Sequence, residues 1–129
     1  MEIGISKYPD YFPEGCPPSD AVNDEIEVFR TCINEDKVTS DDFKSYYEMD
    51  NERWKNNINA YGLSVMLKQE DCVKLMKLPG MRKKFKSIAK GKTYNSMGVI
   101  KQTPSKTYKS HYTWWLYEDA EPEKVFKIV

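Results

Sequence analysis

The sequence predicts an α+β fold, in which a mainly antiparallel sheet carries two or three helices in a single domain. Three observations support this prediction. Strand and helix patterns alternate in the first part of the chain, four strand patterns follow one another in the second part, and turn-forming residues separate them. With 129 residues and 13% aromatic side chains, the chain is long and apolar enough to form one core.

Residues 1–24 are predicted to form a proline-rich loop packed on the body of the domain, which comprises residues 25–129. Four of the seven prolines lie between positions 9 and 18, where they prevent a regular helix and remove amide donors from a sheet. Tyr8, Tyr11 and Phe12 lie in the same segment. We expect these rings to hold the loop against the body, because disordered tails are poor in aromatic residues.

Two strand patterns and two helix patterns follow the loop. Residues 26–33 are rich in β-branched and aromatic side chains, and residues 60–66 are similar, so both are predicted strands. Thr39 and, three residues later, Asp42 form a capping-box pattern that predicts the start of a helix. A second helix is predicted over residues 69–78, where apolar residues recur once per turn until a Pro-Gly pair ends the pattern.

The rest of the chain is predicted to consist of strands and turns. Lys90-Gly91 and residues 95–98 contain turn signals, and residues 104–109 are typical of an exposed loop. The four strands are expected at residues 85–89, 97–102, 110–117 and 125–129. Because strands joined by short loops pair in antiparallel fashion, these strands are expected in one largely antiparallel sheet.

Charge is divided unevenly along the chain, although the formal net charge is zero. Residues 1–59 carry a net charge of −8 and residues 60–129 a net charge of +8. The stretch from Lys74 to Lys109 contains eleven basic residues and no acidic one. Such a chain either neutralises itself, within one molecule or across a homodimer, or presents a cationic surface to an anionic partner.

The basic stretch is predicted to bind an anionic partner without catalysis, and the candidates are a nucleic acid, a nucleotide or an acidic protein. Lysine ammonium groups attract phosphate, and aromatic rings offer stacking surfaces to bases. The alternative is a solvated lysine face that keeps sheet edges from pairing with other chains. The residues predicted to form the binding surface are Lys83, Lys84, Lys90, Lys92 and Lys101, with Tyr94, His111 and Trp114 shaping the contact.

The only histidine, His111, lies in a predicted strand, on the face that it shares with Thr113, Trp115 and Tyr117. An imidazole titrates near neutral pH, so it can act as an acid, a base or a hydrogen-bond donor to an anion. The alternative is a partly buried histidine bonded to a neighbouring backbone group. A two-histidine phosphoesterase mechanism is excluded, because the chain has no second histidine.

A second functional hypothesis comes from three scattered residues. Arg30 lies in the first predicted strand, Ser64 lies in the next one directly before a helix, and Glu118 lies in a group of late glutamates. An arginine, a serine and a late glutamate in this order resemble the site of ADP-ribosyltransferase-like domains. The resemblance implies an enzyme that uses NAD. In it, Arg30 would contact the NAD phosphates, Ser64 would orient the nicotinamide ribose, and Glu118 would stabilise the oxocarbenium-like transition state.

Nothing in the sequence indicates secretion, a membrane span or a metal site. The amino terminus lacks a basic and apolar leader, and no apolar stretch approaches the length of a membrane span. The three cysteines and the single histidine do not show a zinc-ligand spacing. We therefore expect a cytoplasmic protein with free thiols, no metal and no membrane contact. A disulfide between Cys16 and Cys32 is the alternative.

Overall fold

The computed structural model describes residues 7–129, and its centre is a six-stranded sheet in which every pair of neighbouring strands is antiparallel. The order across the sheet is β4-β5-β2-β1-β3-β6. The fold class is α+β, as the sequence predicts. The strands are β1 (Glu27–Cys32), β2 (Leu63–Met66), β3 (Ser87–Lys92), β4 (Gly98–Gln102), β5 (His111–Leu116) and β6 (Lys127–Ile128).

The helices are short. The longest, α3 (Gln69–Met76), has eight residues, and no helix in the described part of the chain is long and apolar enough to cross a bilayer. The other α-helices are α1 (Tyr46–Met49), α2 (Asn51–Trp54) and α4 (Met81–Lys84). Three single turns of 3-10 helix occur at Ser40–Phe43, Ile58–Tyr61 and Pro122–Lys124.

The two central strands of the sheet separate from each other at one end. Strand β1 pairs with β3 along its whole length, but it meets β2 at a single pair, Phe29 and Met66. Beyond that pair the end of β1 and the beginning of β2 are not joined by a ladder of hydrogen bonds. This opening holds the side chain of Arg30 and defines the position of the candidate site.

The two faces of the sheet are packed differently. One face carries a continuous apolar cluster that includes Val28, Val65, Trp114 and Phe126. The opposite face carries two separate apolar clusters, one under α3 and one under the amino-terminal loop. The strand register places three polar residues on this second face between its clusters, because side chains alternate along each strand: Ser64, His111 and Thr113.

The amino-terminal loop lies on the second face. Tyr8, Phe12 and Cys16 pack against the cluster formed by Tyr61, Val99 and Trp115. A short antiparallel bridge between Val22 and Ile100 then ties the loop to the edge strand β4. The loop therefore closes one end of the central polar region.

Residues 60 and 61, predicted to begin a strand, belong to the 3-10 turn Ile58–Tyr61, and two further local predictions differ from the structure. The capping-box contact at Thr39 is present, with its N–H donating to Asp42 Oδ2 at 2.8 Å, but the helix that it starts is a single 3-10 turn. Lys90-Gly91 lies inside β3 and does not form a turn. The reason is packing, since Gly91 lies directly against the Phe126 ring and lets β3 continue beneath it.

Candidate functional site

Arg30 fills the opening between β1 and β2 and is held there by backbone carbonyls. Its Nε donates to the Asp42 carbonyl at 2.7 Å and its Nη1 to the Ser64 carbonyl at 2.7 Å. A longer bond of 3.4 Å joins Nη2 to the Lys44 carbonyl. Arg30 therefore connects β1, β2 and the segment before α1.

The charge of Arg30 is not matched by a carboxylate in direct contact. Among residues 7–129, none of the ion pairs within 4.0 Å involves Arg30. The nearby carboxylate of Asp42 instead accepts hydrogen bonds from Ile33, Asn34 and Thr39. Burial lowers the pKa of Arg30 from its ordinary value, yet a guanidinium stays protonated in proteins, so a cation is held in this opening.

A cavity of about 270 Å³ adjoins the Arg30 side chain. Its wall contains the aromatic and aliphatic side chains of Tyr46, Met49 and Leu75, and it also contains basic groups. The exposed Lys84 of α4 is one of these basic groups, and its Nζ lies 5.9 Å from the centre of the Tyr46 ring. The cavity is thus lined by three basic residues, Arg30, Lys44 and Lys84, and by two acidic ones, Asp41 and Asp42, beside its apolar wall.

A second cavity of about 330 Å³ lies next to the first. The two cavities share Tyr46, Ser64 and Leu75 as lining residues, so they are neighbouring parts of one groove over the polar centre of the sheet. We call this the central groove. Its second part is lined by Trp54, Asn57, Asn59, Thr103, Tyr108 and His111, among others.

Ser64 and His111 are hydrogen-bonded inside the central groove. The strand register sets Ser64 opposite Thr113 and Met66 opposite His111, so Ser64 and His111 are diagonal neighbours on one face. The Ser64 Oγ and the His111 Nε2 are 2.9 Å apart. The other ring nitrogen, Nδ1, lies 3.1 Å from the Thr103 carbonyl and 2.8 Å from the Thr103 Oγ1.

The Thr103 carbonyl favours the tautomer of His111 in which Nδ1 is protonated. A carbonyl oxygen only accepts hydrogen bonds, so the bond to it is made with Nδ1 protonated. Nε2 is then free to accept the hydroxyl proton of Ser64. Burial lowers the pKa of His111 below its ordinary value of 6.5, although the Thr103 bond and the charge of Asp71 act in the opposite direction. The ring is therefore neutral at pH 7.

Tyr108 brings an unsatisfied polar group to the same groove. Its hydroxyl is buried and has no hydrogen-bond partner among the described residues. Buried polar groups without a partner are rare, because leaving one unpaired costs about 1–3 kcal/mol. Tyr108 therefore lines the central groove and carries an unpaired hydroxyl whose oxygen is itself buried.

The lysines predicted to form one surface are spread over the molecule. Lys101 lies on β4, four strands away from β3, a distance of about 19 Å at the usual strand spacing. It pairs with Asp20 at 3.0 Å, and Lys90 on β3 pairs with Glu27 at 3.2 Å. The remaining three are Lys92 on β3 and Lys83 and Lys84 on α4.

The aromatic residues predicted to shape that surface also lie in different places. Tyr94 is exposed, and the Lys92 Nζ lies 5.8 Å from its ring centre. His111 lines the central groove. Trp114 is fully buried in the core on the opposite face, so its predicted role in a surface contact is corrected to one in packing. The alternation of β5, which sends Trp114 and Trp115 to opposite faces, places both in cores.

The three residues that resemble an ADP-ribosyltransferase-like site are only partly assembled. Arg30 and Ser64 are in direct contact through the Ser64 carbonyl. Glu118 follows β5, where its N–H donates to the Lys7 carbonyl, and it lines a separate cavity near Phe12. It lies five residues beyond Thr113, the partner of Ser64, or about 16 Å along an extended chain.

Several groove residues were not predicted from the sequence. Thr103 and Tyr108 flank an irregular loop, and Asn57 and Asn59 lie in a polar segment without strong periodicity. The nearest signal was the placement of His111 and Thr113 on one face of β5, which the structure bears out. No protein-family model, curated protein or solved structure matches the chain.

Proposed function

We propose that the protein binds a small anionic ligand of nucleotide size in the central groove. The observation that carries this proposal is the guanidinium of Arg30, a permanent cation beside a cavity and without a carboxylate in contact among residues 7–129. A buried charge is costly unless it is paired. A ligand carrying phosphate or carboxylate supplies the missing charge.

The geometry of Arg30 suits such a ligand. A guanidinium has five N–H groups, and the three carbonyl bonds occupy only some of them. The carbonyls fix the plane of the guanidinium, so little conformational freedom is lost when an anion binds. The exposed Lys44 and Lys84 add two positive charges to the lining of the same cavity, which outnumber its two carboxylates when Arg30 is included.

The rest of the central groove suits a flat, partly apolar group. The rings of Tyr46 and Trp54 lie 5.3 Å apart, and both line the second cavity together with Tyr108. Aromatic side chains are common platforms for bases and other flat rings. Each cavity is close to the lower limit of ligand pockets, which is about 300 Å³, so together they fit a ligand of nucleotide size.

A nucleotide is favoured here over the two larger anionic partners. A nucleic acid or an acidic protein needs a continuous cationic surface. The five lysines predicted to provide it are divided among α4, β3 and β4, and two of them are paired with acidic residues of the first half of the chain. The groove offers a more concentrated site.

An NAD-using enzyme of the ADP-ribosyltransferase-like type is the second candidate. The 2.7 Å bond between Arg30 Nη1 and the Ser64 carbonyl favours it, because two of its three residues are then neighbours. The separate position of Glu118 counts against it. This candidate would be supported if the protein releases nicotinamide from NAD and if Arg30→Gln and Glu118→Gln each abolish that release. The absence of nicotinamide release would eliminate it.

Calorimetric titration with adenosine monophosphate tests the binding proposal, with adenosine as the uncharged comparison. We expect saturable binding of the monophosphate and a large loss of affinity for adenosine. Lys84→Ala is expected to weaken binding about three- to tenfold, which corresponds to roughly 1 kcal/mol. The matched control is Lys83→Ala, because Lys83 is equally exposed on α4 but does not line the cavity.

Two outcomes would overturn this proposal. One is the absence of binding at millimolar adenosine monophosphate. The other is equal weakening by Lys83→Ala and Lys84→Ala, which would indicate attraction to charge on α4 in general.

We further propose that the protein acts in the cytosol, where its three free cysteines stay reduced.

A further inference from the structure

We infer that Ser64 is a nucleophile and His111 its general base, so that the central groove hydrolyses an ester or thioester. The substrate would be the acylated form of the anionic ligand proposed above, and to that extent the inference rests on the proposed function. Arg30 would hold the anionic group of the substrate close to Ser64, whose carbonyl it contacts.

The arrangement of Ser64, His111 and Thr103 is that of an activated nucleophile. Such a site needs the nucleophile within about 2.6–3.2 Å of its base, and the base oriented by a third group. The distance from Ser64 Oγ to His111 Nε2 is 2.9 Å, and Thr103 binds Nδ1 through two oxygens. Thr103 is a positioning residue, which keeps the unprotonated nitrogen directed at Ser64.

Three other hydrogen-bonded serines of the domain interior are engaged differently, and one of them, Ser45, accepts the Glu48 N–H. The Ser110 hydroxyl donates to the Asp71 carboxylate at 2.6 Å and is buried. The Ser87 hydroxyl donates to the Asn34 carbonyl at 2.5 Å. The Ser110 and Ser87 hydroxyl protons are thus directed at a carboxylate and a backbone carbonyl, not at an imidazole. Within residues 7–129, only the Ser64 hydroxyl is bonded to an imidazole, and Ser64 is not fully buried.

The protonation state of His111 matches the role of a base. The charged group with influence on it is Asp71 of α3, whose charge raises the pKa, while burial lowers the pKa by more. The other titratable groups that line this cavity are the tyrosines Tyr46 and Tyr108. Because the pKa of His111 is lowered, its ring is available to accept a proton at neutral pH.

Donors for the negative charge of the intermediate are present in the same cavity. The buried hydroxyl of Tyr108 has no partner among the described residues. Asn57 uses its side-chain oxygen to accept the Asn59 N–H, which leaves its amide hydrogens as donors. Preorganised donors of this kind stabilise an oxyanion, and removal of one costs about 10²–10³ in kcat in known enzymes.

The reaction needs only water as a co-reactant. Ser64 Oγ bonds to the carbonyl carbon, its proton moves to His111 Nε2, and the carbonyl electron pair moves onto oxygen. The intermediate collapses as the bond to the leaving alcohol or thiol breaks, and the leaving group takes the proton from Nε2. Water, deprotonated by Nε2, then attacks the acyl-serine, which releases the carboxylic acid and regenerates Ser64.

A fluorophosphonate probe tests the nucleophile directly, because it reacts with an activated serine by loss of fluoride. We expect one label per chain by intact mass and its location on Ser64 by peptide mapping. Ser64→Ala should abolish labelling, and His111→Gln or His111→Asn should slow it by about 10²-fold or more, the usual contribution of a general base. Ser105→Ala is the matched control, since Ser105 lines the same cavity without contacting His111.

The pH dependence of p-nitrophenyl acetate hydrolysis gives a second readout that a structural role for His111 would not produce. The unprotonated ring is the active form, so the rate is expected to be full at neutral pH and to fall as the pH drops below 6.5. Circular dichroism of each variant checks that the fold is retained. A rate that stays constant as the pH falls to the point at which circular dichroism shows loss of the fold would contradict the inference.

The experiments separate the two proposals from each other. Binding of adenosine monophosphate together with no labelling of Ser64 overturns the inference and leaves the binding function intact. Labelling of Ser64 that adenosine monophosphate does not slow supports the nucleophile and overturns the nucleotide site. Labelling of several serines at equal rates shows that Ser64 is not activated and also overturns the inference.

Discussion

Asp42 is the residue that orders the segment beside Arg30. Its carboxylate accepts bonds from the N–H groups of Ile33 at 2.7 Å and Thr39 at 2.8 Å, and from the Asn34 side chain at 3.1 Å. Burial raises the pKa of Asp42, but these hydrogen bonds outweigh it, so the net pKa lies below the ordinary value of 3.8. The backbone carbonyl of the same residue then accepts from Arg30.

We expect Asp42→Asn to destabilise the protein by about 2–3 kcal/mol. The asparagine amide is uncharged, and its NH₂ group would face some of the N–H donors that now bind the Asp42 carboxylate. Urea unfolding measures the loss, and Asp41→Asn is the control, since Asp41 is exposed and adjacent. The folded-state pKa of Asp42 is depressed, so its stabilisation is complete above pH 4 and disappears as the pH falls through that pKa. The difference between wild type and Asp42→Asn should therefore shrink at low pH; a constant difference would contradict the assignment.

Among the secondary-structure elements, strand β3 shows why a residue pair that is typical of a turn can lie inside a strand. The pair Lys90-Gly91 is typical of a turn, yet β3 continues through it and pairs with β1 over six residues. A side chain at position 91 would overlap the Phe126 ring, so the glycine serves close packing on the core face. Local sequence does not reveal this, because Phe126 lies 35 positions further along the chain.

Gly91→Ala is expected to lower the free energy of unfolding by about 1–3 kcal/mol, the usual cost of overpacking a core. A double-mutant cycle with Phe126→Leu provides the control. Because the smaller side chain relieves the overlap, Gly91→Ala should cost less in the Phe126→Leu background than in wild type. If urea unfolding showed strictly additive effects, the contact with Phe126 would not be the reason that β3 requires a glycine at position 91.

The whole molecule brings its acidic first part and its basic second part together. Glu27 pairs with Lys90 across β1 and β3, and Asp20 of the amino-terminal loop pairs with Lys101 of β4. Both pairs are largely exposed, so they contribute little to stability. They do show that opposite charges meet within one chain. Such contacts are what neutralisation within one molecule, one of the alternatives from the sequence, requires.

We therefore expect a monomer by size-exclusion chromatography with light scattering, at low and at high salt. Neutralisation within the chain removes the electrostatic reason for a homodimer. Repetition at 1 M salt is the control, because it screens interactions between exposed charges. A dimer at low salt that dissociates at high salt would show that the charged halves pair between molecules.

Much of the fold could be predicted from the sequence, and less of the candidate site. Short-range patterns located six strands and the capping-box pair of Thr39 and Asp42, because alternation and capping depend on nearby residues. The pair of Ser64 and His111 depends on the order β5-β2-β1, which joins residues 47 positions apart. The unpaired charge of Arg30 likewise arises only when β1 and β2 separate.

A nuclear magnetic resonance titration shows whether the groove beside Arg30 binds an anionic ligand. Adenosine monophosphate is added to ¹⁵N-labelled protein while the backbone amides and the Arg30 Nε–H are followed. We expect saturable shifts at Arg30, Tyr46, Ser64 and His111. Shifts confined to Lys92, Tyr94 and Lys101, or no shifts at all, would show that the groove does not bind this ligand.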